Sequence, residues 1–203
     1  MTNGIPKFYY TKIKERNEMS NILIVSGHTD LNESVANKTI LEEIAKKLPE
    51  AEIDYLDKLY PDYKIDVKAE QEKLVKADVI VFQFPIFWYS MPSLMSKWME
   101  DTFEHGFSHG STGDKLKGKK VVASFTTGAP EALYHKDAPM GYEIEELLPP
   151  IKAMCSLCGM QFVGFVYTGG VSYQSRNDAE KLEAMKVKST EHADRVVKLV
   201  SQL

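Results

Sequence analysis

The chain has 203 residues, 43% of them apolar and 27% charged, enough for one domain with its own core and too few for two ordinary ones. Its 25 Lys+Arg nearly balance 29 Asp+Glu, for a formal charge of -4, so a chain-wide electrostatic grip on nucleic acid or an anionic membrane is not expected. No apolar run approaches the about 20 residues that cross a bilayer and no signal-peptide pattern opens the chain, which points to a soluble, cytoplasmic protein.

Residues 1–20 carry Lys7, Lys12, Lys14 and Arg16 among polar neighbours, with a second methionine at position 19. They read as a mobile N-terminal extension ahead of a domain spanning 21–203, or as an upstream start to a protein that begins at Met19. From Asn21 onward, short apolar runs alternate with amphipathic segments, the pattern of strand-helix-strand units in a parallel sheet. Residues 21–26 read as a buried strand, and 34–48 as a helix capped by Ser34 or Asn32. A second strand is expected over 52–56, irregular chain over 59–66 and a short helix over 67–75. Residues 77–84 form the clearest strand, ended by Pro85, which cannot donate to a ladder. Leu94, Met95, Trp98 and Met99 place a helix over 93–103. A fourth strand at 120–126, a helix over 142–157 broken at Pro149-Pro150, a fifth strand at 161–167 and a closing helix over 177–201 complete the series. Such crossovers give an open sheet with helices on both faces, and ligands bind beyond the carboxyl ends of its strands. The loops 27–32, 85–91 and 127–134 should therefore meet.

No G-x-G-x-x-G follows the first strand and no G-x-x-x-x-G-K-[ST] occurs, so neither the dinucleotide turn nor the triphosphate loop is present. In their place stands Ser26-Gly27-His28-Thr29-Asp30-Leu31-Asn32-Glu33-Ser34, hydroxyls and an imidazole leading into a helix N-terminus. That set suits a phosphate monoester or pyrophosphate, the alternative being a polar connector with an N-cap. The loop Pro85-Ile86-Phe87-Trp88-Tyr89 concentrates aromatics at a surface, where a flat conjugated ligand, a partner subunit or the next helix would have to cover them. Thr126-Thr127-Gly128-Ala129 offers amides and hydroxyls to the edge of a heterocycle, or is simple turn chemistry. Tyr134 is placed to donate its phenol to developing negative charge, or is a half-buried surface tyrosine. Cys155 and Cys158 have the spacing of a redox or metal pair, but no second pair completes a metal site, so they read as buried inert thiols. His105 and His109 read as solvated loop imidazoles that line a pocket mouth at most.

Taken together, the His28 loop, Ala77-Asp78-Val79-Ile80-Val81-Phe82-Gln83-Phe84-Pro85 followed by Trp88, the Pro92, Lys97 and Trp98 spacing, and Thr126-Thr127-Gly128 resemble the flavodoxin-like NAD(P)H:quinone oxidoreductases, in particular the short bacterial members. The resemblance covers Asn21 to the C-terminus. It implies a three-layer α/β sandwich with a five-stranded parallel sheet in the order 2-1-3-4-5. It implies a flavin, FMN or FAD with FMN slightly favoured, its phosphate near His28, Ser34, Val35 and Ala36. The flavin ring would lie against Pro85, Ile86, Phe87, Trp88 and Tyr89 and against Thr126, Thr127, Gly128 and Ala129. Tyr134 occupies the place of a family tyrosine that stabilises the reduced ring; the place of the family histidine falls near Met140, which leaves that work to Tyr134 alone or to a neighbour such as His135. NADPH or NADH would reduce the flavin and a quinone or similar flat acceptor would reoxidise it, in a slot to which Trp88, Phe107 and His109 contribute. The resemblance further implies a homodimer. A regulatory role is the alternative, since close relatives are ancillary subunits of potassium efflux transporters. An electron carrier of the flavodoxin type fits less well, because the charge of -4 gives no strongly acidic face.

Overall fold

A computed structural model describes residues 20–203; the extension read at 1–20 lies, but for Ser20, outside the described residues. Five parallel strands, β1 (Ile22–Ser26), β2 (Glu52–Tyr55), β3 (Val79–Pro85), β4 (Lys120–Thr126) and β5 (Gln161–Thr168), form one sheet in the order β2-β1-β3-β4-β5. The helices between them are α1 (Val35–Lys47), α2 (Leu56–Leu59), α3 (Val67–Lys76), α4 (Ser93–Thr102), α5 (Pro149–Leu157) and α6 (Ala179–Val200). The expected sandwich and strand order are thus the observed ones.

Period-two alternation divides each central strand between two cores. Ile24, Val81, Val122 and Val166 pack with Ile40 and Leu41 of α1 and Ala193 and Val196 of α6. Leu23, Ile80, Phe82, Val121 and Phe125 pack on the opposite side with Leu74 of α3, Met95 and Trp98 of α4 and Ile151 of α5. Buried on both faces, these strands read as continuous apolar runs, which is why Val79-Ile80-Val81-Phe82 announces a strand so plainly. The segment 142–157 is the main departure from expectation. A 3-10 turn occupies Ile144–Leu147, and Pro149-Pro150 begin α5; their missing N–H groups fall in the first turn, where a helix needs none, so the prolines start the helix instead of breaking it.

One buried cluster ties the α2–α4 side together. Glu70 of α3 is fully buried and accepts from the Tyr60 hydroxyl at 2.6 Å, Trp98 Nε1 at 2.7 Å and Lys73 Nζ at 2.7 Å. Lys73 also reaches Asp54 at 2.6 Å. Burial pushes Glu70 up, but these hydrogen bonds outweigh it and hold the carboxyl below its usual range. Asp54 goes the other way: burial raises it to about 7, and its Oδ2 has no partner among the described residues. Between about pH 4 and 7 the folded chain therefore keeps a proton that the unfolded chain has released, so stability falls as pH rises through that window. Urea denaturation across it should show the decline, and Asp54→Asn should flatten it.

Candidate active site

The site is built at the carboxyl ends of the strands, where β1 and β3 lie side by side and their connections leave in opposite directions, the place at which open α/β sheets form a crevice. Loops after β1, β3, β4 and β5 surround a cavity of about 620 Å3. Its floor is the first turn of α1. Ser34, extended at φ -105°, caps that helix by accepting from Asn37 N at 3.1 Å; Val35 and Ala36, whose N–H groups have no intrahelical acceptor, line the cavity at the positive end of the helix dipole. His28 stands beside them. Its Nδ1 accepts from Asp30 N at 3.1 Å, so Nε2 carries the proton, and burial lowers its pKa against the pull of Asp57 and Asp30. The imidazole is thereby a neutral donor at this anion-attracting floor.

The wall after β3 consists of Pro85, Ile86 and Phe87, with the edge of His28 meeting Phe87 at a centroid distance of 5.7 Å. Beyond Phe87 the chain makes a two-residue reversal: Phe87 N donates to Ser90 O and Ser90 N to Phe87 O, each at 3.0 Å. Trp88 and Tyr89 at its tip both have positive φ, 49° and 63°. This is the conformation of a type I′ turn, normally supplied by Asn-Gly. Two aromatics held there are strained, and Trp88 is 94% exposed. Tyr89→Gly should relieve one strained residue and stabilise the fold by about 1 kcal/mol, measured by urea denaturation, while weakening any stacking that the turn provides.

The third wall is Thr126 and Gly128. The Gly128 N–H faces no acceptor among the described residues, and a side chain there would meet Ser172 Cα at 3.6 Å. Thr127 lies behind the ledge, its hydroxyl donating to Ala129 O at 2.8 Å and receiving the Tyr167 hydroxyl at 2.8 Å. Tyr134 is also behind it, buried and edge-on to Tyr167 at 6.1 Å. Burial raises its pKa while Thr127 opposes the shift.

The family model described as "Flavodoxin-like fold" matches residues 20–193. The chain belongs to this flavodoxin-like family. It is 42% identical over 142 residues, 70% of the chain and 79% of its counterpart, to the glutathione-regulated potassium-efflux system ancillary protein KefF of Enterobacter sp. (strain 638). Among solved structures it superposes on general stress protein 14 from Treponema denticola, a complex with FMN, with a TM-score of 0.78 and 26% identity over 88% of this chain and 99% of that one. An NADPH-quinone reductase from P. pentosaceus shares the fold at a TM-score of 0.69 and 21% identity, over 85% and 97% of the two chains.

Within this flavodoxin-like domain, the structure brings His28, Ser34, Val35, Ala36, Pro85, Ile86, Phe87, Thr126 and Gly128 together around one cavity. Trp88 and Tyr89 project from the wall's rim, and Thr127, Ala129 and Tyr134 form its backing. Two residues read as part of the substrate slot lie elsewhere in the single chain. His109 lines a separate groove with Met99, Phe103 and Met154, and Phe107 packs against the core. His135, considered as a stand-in for the family histidine, turns outward to Glu143 at 3.1 Å, while Met140 Sδ accepts from the Tyr89 hydroxyl at 3.5 Å. Cys155 and Cys158 are buried and unpaired, and burial pushes the Cys155 thiol up to about 12, which suits inert core thiols. Among the described residues no group of three or more His, Cys, Asp or Glu could hold a metal ion, and no helix is long and apolar enough to cross a membrane.

The loop after β5 was missed. Val171, Ser172, Tyr173, Gln174 and Arg176 line the cavity; Arg176 lies over the Tyr173 ring at 3.5 Å and donates to Glu33 at 2.8 Å. With the Tyr173 hydroxyl also on Glu33 at 3.0 Å, these residues clasp the β1 loop. A signal was present: Gly169-Gly170 directly after a fifth parallel strand must emerge at the same sheet end as the other three loops.

Proposed function

We propose that this cavity binds FMN and that the protein is a flavin-dependent NAD(P)H:quinone oxidoreductase. The observation that carries this reading is one cavity with an anion-attracting helix N-terminus at its floor and a flat apolar and aromatic wall ending in a hydrogen-bonding ledge. The volume of about 620 Å3 lies within the ordinary range for small-molecule sites. The donor set fits the group: the Val35 and Ala36 N–H groups, the Ser34 hydroxyl and neutral His28 suit a phosphate. Pro85, Ile86 and Phe87 suit one side of a fused ring, and Thr126 and Gly128 its polar edge. The FMN of the Treponema denticola relative, whose chain is matched over 99% of its length, supports FMN over FAD.

A bound flavin supplies a ring that accepts hydride from NAD(P)H and passes two electrons to a second substrate. The chain's own part is to hold that ring and tune its surroundings. The unpartnered Gly128 N–H donates where negative charge develops, and Tyr134 packs behind the ledge against Tyr167 without lining the cavity. On this reading Phe87, Trp88 and Tyr89 border one stacking slot, which nicotinamide and quinone occupy in turn. The exposed Trp88 fits a homodimer in which a second copy covers this rim. Two unpaired thiols fit a cytoplasmic setting, and nothing in the charge of -4 favours nucleic acid. Initial rates with NADPH against a series of menadione concentrations should give parallel double-reciprocal lines, the mark of a slot used twice; intersecting lines would contradict it.

A second reading is favoured by the 42% identity to KefF: the domain acts as an ancillary subunit of a potassium efflux system. Co-purification with membranes containing such a transporter, and potassium efflux that depends on this chain, would support it. The two readings share the FMN site and differ in what it serves.

A further inference from the structure

Beneath the cavity a chain of buried polar side chains crosses the sheet. The register aligns Ser26, Gln83 and Ser124 in one row across β1, β3 and β4, on the face covered by α1 and α6. Asn37 from α1 and His192 from α6, both buried, meet this row from above. Arg195 NH2 donates to Thr168 Oγ1 at 2.6 Å, and Thr168 Oγ1 lies 2.9 Å from His192 Nδ1. His192 Nε2 lies 2.7 Å from Ser124 Oγ, which donates to Gln83 Oε1 at 2.5 Å. Gln83 Nε2 donates to Asn37 Oδ1 at 2.8 Å. Asn37 Nδ2 then donates to Thr126 Oγ1 at 3.1 Å and reaches Ser34 Oγ at 3.5 Å.

Arginine can only donate, so Thr168 accepts from Arg195, and Ser124 spends its one proton on Gln83; the two ends together set the direction of the bonds between them. Thr168, accepting from Arg195, gives its own proton to Nδ1; His192 must then carry its proton on Nε2 and give it to Ser124. The opposite direction would leave the Thr168 hydroxyl proton without an acceptor at a buried position, a costly arrangement. At the far end, Asn37 donates twice to Ser34 Oγ, through its backbone N and Nδ2, and once to Thr126 Oγ1, and neither hydroxyl proton has an acceptor among the described residues. Both open onto the cavity.

We propose that His192 and Arg195 are positioning residues: through Thr168, Ser124, Gln83 and Asn37 they fix the Ser34 and Thr126 hydroxyls as donors into the cavity, where they meet acceptor oxygens of its ligand. This rests on the FMN reading for the identity of the ligand, but the donor direction does not. His192 is suited to the task because burial lowers its pKa to about 3, so it is neutral at working pH and its single proton defines a direction.

Two measurements test this. Two-bond proton–nitrogen NMR correlation on the full chain should find His192 as the Nε2–H tautomer; an Nδ1–H tautomer would overturn the proposal whether or not FMN binds. Titration of the apoprotein with FMN, followed by quenching of flavin fluorescence, should show His192→Leu and Ser124→Ala each raising the Kd about tenfold, the worth of one hydrogen bond to a charged group. His192→Gln, whose amide nitrogen can replace Nε2, should stay within about twofold of the parent. Unchanged affinity in Ser124→Ala, which removes only one oxygen from the chain, would overturn the proposal even if His192→Leu fails to fold. If the parent chain binds no FMN, it is the flavin reading that fails, and the tautomer alone decides the donor direction.

Discussion

Ser34→Asp should weaken FMN binding by about 100-fold or more while leaving the fold as stable as before. Aspartate caps a helix as well as serine does, so α1, which Ser34 caps through Asn37 N, keeps its first turn. What changes is charge. A carboxylate at the floor of the cavity faces the position assigned to a phosphate, and a like-charge pair in a partly desolvated site costs several kcal/mol, which sets the fold-change. No cation at the floor offsets it: His28 is held neutral by burial, and the Arg176 guanidinium is already committed to Glu33. Riboflavin, the same ring without a phosphate, should lose far less affinity for the variant. The ratio of the two losses, read by fluorescence titration with thermal melting as the control, locates the phosphate. Equal losses for both ligands, or tight FMN binding by Ser34→Asp, would place the phosphate elsewhere.

Glu70→Ala should cost about 3–5 kcal/mol of stability, the range for breaking a buried ionic cluster by removing one member. The reason is what remains. Trp98 Nε1 and the Tyr60 hydroxyl each lose their acceptor, Lys73 loses one of two carboxylates, and a cavity opens beside a fully buried indole. For a chain of this length the melting temperature should fall on the order of 10 °C. Glu70→Gln keeps an acceptor for Tyr60 or Trp98 and should lose less. Because the cluster lies on the α3–α4 side and the cavity at the carboxyl end of the sheet, FMN affinity below the new melting temperature should not change; a loss of affinity would mean that α4 and the β3 loop move together.

How far the residues alone revealed this molecule depended on whether a feature was local. The strands were legible because each central one is buried on both sides and reads as an apolar run, and the start of α1 because Ser34 is a capping residue ahead of a periodic segment. The three loops followed from topology, and most of the cavity wall with them. The two prolines at 149–150 suggest a break, because a proline signals an interruption until the helix start is known. Trp88 and Tyr89 gave no hint of a left-handed turn, since the residues that favour one are Asn and Gly. Phe107 as an aromatic and His109 as an imidazole suit a slot or its mouth by residue type, yet the loop after α4 carries them to other surroundings. The polar chain under the cavity was the least legible of all. Gln83 and Ser124 showed only as interruptions in apolar strands, and their partners Asn37 and His192 come from helices 155 positions apart, joined only once α1 and α6 pack on the same face.

On the proposed reading the cavity holds a flavin that NAD(P)H reduces and a quinone reoxidises. The most direct test is the visible spectrum of the purified full chain, as isolated or reconstituted with FMN, during addition of NADPH or NADH and then menadione. A yellow protein bleached by the nucleotide and restored by the quinone is the predicted result, and a chain that stays colourless after reconstitution with either FMN or FAD would contradict it.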